Sequence, residues 1–138
     1  MASRIKTVAV ERSHARTYFA KAAQFCEAAR ASLVDERFDA TVVLAIHAGI
    51  SSSDALCIGL GTRKCAESHD RAAELLEEVG AHTPAFIEHA KRLRSLLAMK
   101  NRIEYENHRA TRGDAEQSLR RCENLVGWTG SELEKARL

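Results

Sequence analysis

The sequence predicts an all-α fold, an up-and-down bundle of about five helices, on three observations. Apolar residues recur at three- and four-residue steps through nearly all of the 138 positions. One proline and seven glycines are too few turn formers for a loop-rich β protein. The breaks between periodic segments are short, and no strand pattern stands out. A hydrophobic share of 45% at this length suits one domain with its own core. Residues 13–138 are therefore expected as a single helical domain behind an N-terminal arm or helix extension, residues 1–12.

The first helix is expected over 13–34, where Ala15, Phe19, Ala22, Cys26, Ala29 and Leu33 make one face. Residues 35–38 turn, and Asp39 is placed to cap a second helix over 39–59 by accepting from unpaired backbone donors. That helix is apolar nearly all round and should be the central one. Gly59-Leu60-Gly61-Thr62 breaks it, and a third helix follows over 64–79, closing at Gly80 as a left-handed stop. Thr83-Pro84 reads as an N-cap and first-turn proline, opening a fourth helix to about 107. Asp114, after Arg112-Gly113, should cap a fifth helix over 115–136. Residues Ile5–Val10 are open to three readings: an extension of helix one, an arm on a partner, or a mobile tail.

Charge and cysteine content narrow the function classes. With 21 basic and 19 acidic side chains the formal charge is +2, so bulk-charge binding to nucleic acid is excluded while a local basic patch is not. Cys26, Cys57, Cys65 and Cys122 form no CxxC pair and no metal-ligand spacing with the six histidines. They read as reduced core thiols of a cytoplasmic protein, with neither metal nor cofactor expected. The first twelve residues hold no signal-like apolar block. The longest apolar run, Ala40 to Leu60, is interrupted by His47, Ser51-Ser52-Ser53 and Asp54, and no membrane span is expected.

Two helix faces change character along their length. In the fourth helix the stripe Phe86, Ala90, Leu93, Leu97 continues into Asn101, Glu104 and His108. Lys100, Glu104 and His108 stand four apart, so the carboxylate has a partner on either side, and Tyr105 flanks the row. In the second helix His47, Asp54 and Cys57 share a face with Val43, Ile46 and Ile50. Unpaired burial costs about 1–3 kcal/mol per polar group, so these side chains run out into water, form a network such as Asp54 with Lys100, Asn101 or Arg102, or line a cleft.

Residues 93–109, LRSLLAMKNRIEYENHR, resemble the signature helix of the HEPN superfamily. Ala45–Ala55 resembles that family's Ala-rich second helix, and His69 with Ala72-Ala73-Glu74-Leu75-Leu76 resembles its third, so the similarity spans about 13–130. The resemblance implies a helical bundle, a homodimer, and an RNA-directed role of the toxin–antitoxin or stress-response kind, with an antitoxin protein as a further partner. Its active members carry an Arg followed after four to six residues by a His. Here one alignment uses Arg102 and His108; the other sets Lys100-Asn101 on the Arg-Asn step and puts Tyr105 where the His belongs, as in relatives of non-catalytic type.

On the first alignment the resemblance implies metal-independent endoribonuclease chemistry. His108 takes the proton of a ribose 2′-hydroxyl, Arg102 with Lys100 meets the phosphate charge, Asn101 and Tyr105 position substrate, and Glu104 orients His108. On the second, the chain is a non-catalytic module binding a nucleotide or a partner protein. A structural dimer without ligand is the third possibility. On one continuous helix Arg102 and His108 would lie about 120° apart. Convergence therefore needs the helix to end near Glu106, or a dimer mate to supply one of the two. Other features read as scaffold: Gly59-x-Gly61-Thr62 as an interhelical loop, His14, His82 and His89 as surface residues, and Trp128 as a core or dimer contact. Lys91, Arg92, Arg94, Arg109, Arg112, Arg120 and Arg121 are a basic rim or an ordinary solvated face.

Overall fold

Helix α2 (Phe38–Gly61) is the axis of the structure, a computed structural model that describes residues 4–138. Around it pack α1 (Ala15–Val34), α3 (Ala72–Val79), α4 (Pro84–Tyr105) and α5 (Arg112–Lys135), giving five α-helices among the described residues. The all-α bundle is therefore as expected. Small side chains make the central position possible: Ala45, Ala48, Gly49, Ser52 and Ala55 are all buried and let neighbouring helices come close. A Cβ on Gly49 would lie 2.8 Å from Leu96 Cδ1. Between α2 and α5 the buried Ser52 hydroxyl donates to Thr129 Oγ1 at 3.1 Å, so each side chain has its partner. The expected inward stripe of α4, Phe86, Ala90, Leu93 and Leu97, is buried throughout.

Several local expectations are corrected. Short strands β1 (Thr7–Ala9) and β2 (Arg63–Cys65) pair antiparallel, Val8 opposite Lys64. Val10 N–H donating to the Thr62 carbonyl and Ala66 N–H to that of Lys6 extend the pairing. The N-terminal segment thus neither extends helix one nor hangs free; residues 1–3 of the expected arm lie outside the described residues. Because Arg63–Cys65 is taken up by β2, α3 begins at Ala72, after a 3-10 turn over His69–Arg71. Gly59 and Gly61 belong to the last turn of α2, whose left-handed cap is Thr62 at φ 53°, so no glycine loop forms there. Phe38–Gly61 is long and apolar enough to cross a membrane, against the expectation, although 72% of its most apolar window is buried inside the bundle.

The caps differ as well. Asp39 sits in the first turn of α2 and not at its cap, and Asp114 is the third residue of α5. There Asp114 completes a capping box: Thr111 Oγ1 accepts from Asp114 N–H at 3.1 Å, and Asp114 Oδ2 accepts from Thr111 N–H at 3.0 Å. Gly80 is not left-handed; Ala81 and His82 are, at φ 52° and 56°. Its lack of a side chain serves packing instead. A Cβ on Gly80 would stand 2.1 Å from the Phe86 ring, which lies edge-on to Trp128. Trp128 is half-buried and stacks flat on His89, 4.1 Å between centroids, so both are packing residues.

Gly80→Ala should destabilise the protein by about 1–3 kcal/mol, because the Phe86 ring must move. Gly127→Ala, in α5 with nothing near its Cβ position, should stabilise it by up to ~1 kcal/mol through helix propensity. Urea denaturation midpoints of the two variants should therefore move in opposite directions.

Candidate functional site

Helix α4 stops at Tyr105, with Glu106 at φ −115° and ψ 67° outside it, and no glycine or proline causes the stop. The chain is instead pulled away by tertiary bonds. The Asp39 carboxylate accepts from Ala110 N–H and from Arg109 Nε, both at 2.7 Å. The Arg112 guanidinium lies 5.0 Å over the Phe38 ring and pairs with Glu36. These contacts dock the loop before α5 onto the start of α2.

The loop brings His108 back against α4. Arg102 Nη2 lies 3.4 Å from His108 Nε2, and the same nitrogen is 3.0 Å from Asp114 Oδ2. Guanidinium and imidazole therefore meet within one subunit, the first of the two routes to convergence. The shorter, charge-assisted contact to Asp114 assigns the proton to Nε2 in the neutral ring. Nε2–H then donates to Asp114, Arg102 approaches as a neighbouring cation, and the lone pair of Nδ1 is left as the basic site. The Asp114 carboxyl is held below the usual carboxylate range by the Thr111 backbone N–H and then by His108. Asp39 is lowered in the same way, first by the Ala110 N–H.

The other expected site residues divide. Glu104 does not orient His108; it pairs with Lys100 at 3.0 Å, the i,i+4 partner on its own helix. Asp114 takes the orienting place, and its signal was a carboxylate six residues beyond the histidine, across a loop whose path the spacing does not show. Asn101 and Tyr105 are exposed, Tyr105 at 74%. Asp54 does not reach Lys100, Asn101 or Arg102. Among the described residues its ion pair is with Lys64 of β2 at 3.9 Å, and burial pushes its carboxyl up to about 6. His47 is exposed on α2, its ring 5.7 Å from that of Phe25. Four arginines of the expected basic rim are paired: Arg92 with Glu88, Arg94 with Glu77, Arg109 with Asp39, and Arg112 with Glu36. Among the described residues no group of three or more His, Cys, Asp or Glu is gathered as a ligand set.

A family model of the HEPN domain matches residues 15–133, from the first residue of α1 to the last turn of α5. The chain belongs to the HEPN domain family. No curated protein matches it. The HEPN match takes in all five helices, and both the Arg102–His108 contact and Asp114 fall inside it.

Asp54 gives a prediction with a definite sign. Its folded pKa lies above the unfolded value of roughly 3.9, so the folded state binds the proton more tightly. Wild-type stability then falls as pH rises from about 4 through about 6. Asp54→Asn should be more stable than wild type at pH 8, by about 1–3 kcal/mol, and should lose that advantage by pH 4. Paired urea titrations at the two pH values check this.

Proposed function

We propose that this HEPN protein is an RNA-directed enzyme, a metal-independent endoribonuclease of the toxin or stress-response kind, acting in the cytoplasm as a homodimer with an antitoxin protein as a further partner. The observation that carries the proposal is the approach of Arg102 to His108 within one subunit, with Asp114 holding the ring. The three groups supply complementary parts of one reaction. His108 Nδ1 takes the proton from a ribose 2′-hydroxyl, and Asp114 stabilises the imidazolium so formed. The 2′-oxygen attacks the adjacent phosphorus, the bond to the 5′-oxygen breaks, and that oxygen takes a proton from water. Arg102 meets the charge that builds on the phosphate oxygens, for which a fixed guanidinium fork is well shaped. DNA lacks the 2′-hydroxyl and is not cut.

The placement of the pair supports access to a polymer. Arg102 is exposed and His108 half-buried at the end of a helix, so neither is sealed in the core. HEPN domains often dimerise, and a two-fold axis beside this helix end would bring two such pairs to one seam.

Incubation of the purified protein with single-stranded RNA in EDTA should yield fragments ending in 2′,3′-cyclic phosphate. His108→Ala and Arg102→Ala should each lower the rate by roughly 10²–10⁴. Asp114→Asn should lower it less and move the acidic limb of the pH–rate profile, where the general base loses its proton, to lower pH. RNA left intact at high protein concentration, with folded wild-type protein, would overturn the proposal in favour of a non-catalytic interaction module.

A further inference from the structure

A groove of about 320 Å³ runs between the 3-10 turn His69–Arg71 and the end of α4, on the flank next to the Arg102 face. Leu97, Asn101 and Tyr105, at four-residue steps, line it from α4 together with Lys100, and His69 and Asp70 line it from the turn. A neighbouring hollow of about 270 Å³ shares Asp70, Leu97 and Asn101 and reaches Arg94, so the two form one track along the helix. The apolar floor is Leu97, 4% exposed. The Tyr105 side chain stands at the other end, largely exposed, with the Lys100 ammonium over its ring 5.6 Å from the centroid.

The chemistry of this lining is an aromatic ring, an amide and two basic side chains, Lys100 and His69. Partial desolvation keeps the exposed His69 more easily neutral than usual, and the positive charges of Lys100, His47 and Lys64 push the same way, against Asp70. An anion at this point would relieve that concentration of positive charge, part of which Glu104 already takes from Lys100. Asp70 is the one acid in the lining; it disfavours a phosphate directly against it and suits the N–H donors of a base edge. A flat ring beside a cation, with an amide between, is the arrangement by which proteins hold unpaired bases and their phosphates.

We propose that this groove is a subsite for one nucleotide of single-stranded RNA, its base stacked on Tyr105 with its edge toward Asn101, and its phosphate toward Lys100 and His69. The subsite rests on the RNA-directed reading above and deepens it. Arg102 is three residues from Tyr105, about 60° around the helix and about 4.5 Å along it. A strand seated on Tyr105 therefore crosses the shoulder of α4 and presents its neighbouring nucleotide to Arg102 and His108. The volume accommodates one base and excludes a duplex, whose bases are not free to stack on a side chain.

The test uses the full chain carrying His108→Ala, so that RNA is not consumed, and fluorescence anisotropy with a labelled octaribonucleotide. Adding Tyr105→Ala should weaken binding about tenfold or more, whereas Tyr105→Phe should bind as the parent does. Lys100→Gln should reduce the salt dependence of binding by about one phosphate contact. Tyr105 is exposed, and coincident thermal melts of the variants check that folding is unchanged. Equal affinity of the Tyr105→Ala and parent proteins overturns the subsite, as does a parent that does not bind the oligonucleotide. The two proposals fail separately. Cleavage by an otherwise wild-type chain whose KM is unmoved by Tyr105→Ala removes the subsite alone. Tyr105-dependent binding by a chain that cuts no RNA removes the ribonuclease alone.

Discussion

The site depends on the capture of one backbone amide. Ala110 N–H donates to Asp39, a carboxylate in the first turn of α2, and this bond turns the chain away from the α4 axis soon after Tyr105. A carboxylate there is well placed, since the positive end of the α2 macrodipole favours negative charge. A second carboxylate, Asp114, holds the other end of the loop through the Thr111–Asp114 capping box at the start of α5. Two helix starts thus fix a short loop by acid-to-amide bonds, and His108 lies between them. Had α4 continued to His108, the imidazole would face a direction about 120° from Arg102. The loop removes that separation.

The helices were legible because they obey one rule, an apolar face at helical spacing: the expected stripe of α4 is buried throughout, and in α1 Ala15, Ala22, Cys26 and Ala29 are buried with Phe19 and Leu33 half-buried. What the pattern missed lies where partners distant in sequence decide. Three-residue strands such as Thr7–Ala9 have no periodicity to show, and the pair exists because residues 6–10 find residues 62–66. The same blindness hid the end of α4, which contains no breaker residue, and hid Asp114 behind the nearer Glu104. Spacing gave Glu104 two candidate partners, and the structure selects Lys100 because His108 has left the helix.

The two ways of aligning the motif correspond to two flanks of one helix end. Lys100, Asn101 and Tyr105 line the groove beside the 3-10 turn, and Arg102 turns toward the His108 loop. Helical periodicity makes this possible, since positions 101 and 105 share a side and 102 falls on the next. The readings therefore do not compete for the same space. One set of residues is the one proposed to hold a strand and the other the one proposed to act on it, and a short helical segment carries both.

Asp54 shows why a perturbed carboxyl is not by itself a site. Its pKa is raised to about 6 by burial, yet its ion-pair partner is Lys64, whose ammonium also lies 5.3 Å from the Tyr18 ring. Those contacts fasten β2 to α2 and α1. The chain leaving β2 is held in turn by the Cys65 thiol, 3.8 Å from the Ser68 carbonyl, immediately before His69. The acid thus touches the scaffold and not the groove: its partner Lys64 lies in β2, and the 3-10 turn that follows β2 is the outer wall of the groove beside Tyr105. The acid's energetic cost is confined to the scaffold, while Arg102 and Tyr105 are exposed and His108 half-buried, where solvent keeps that cost low.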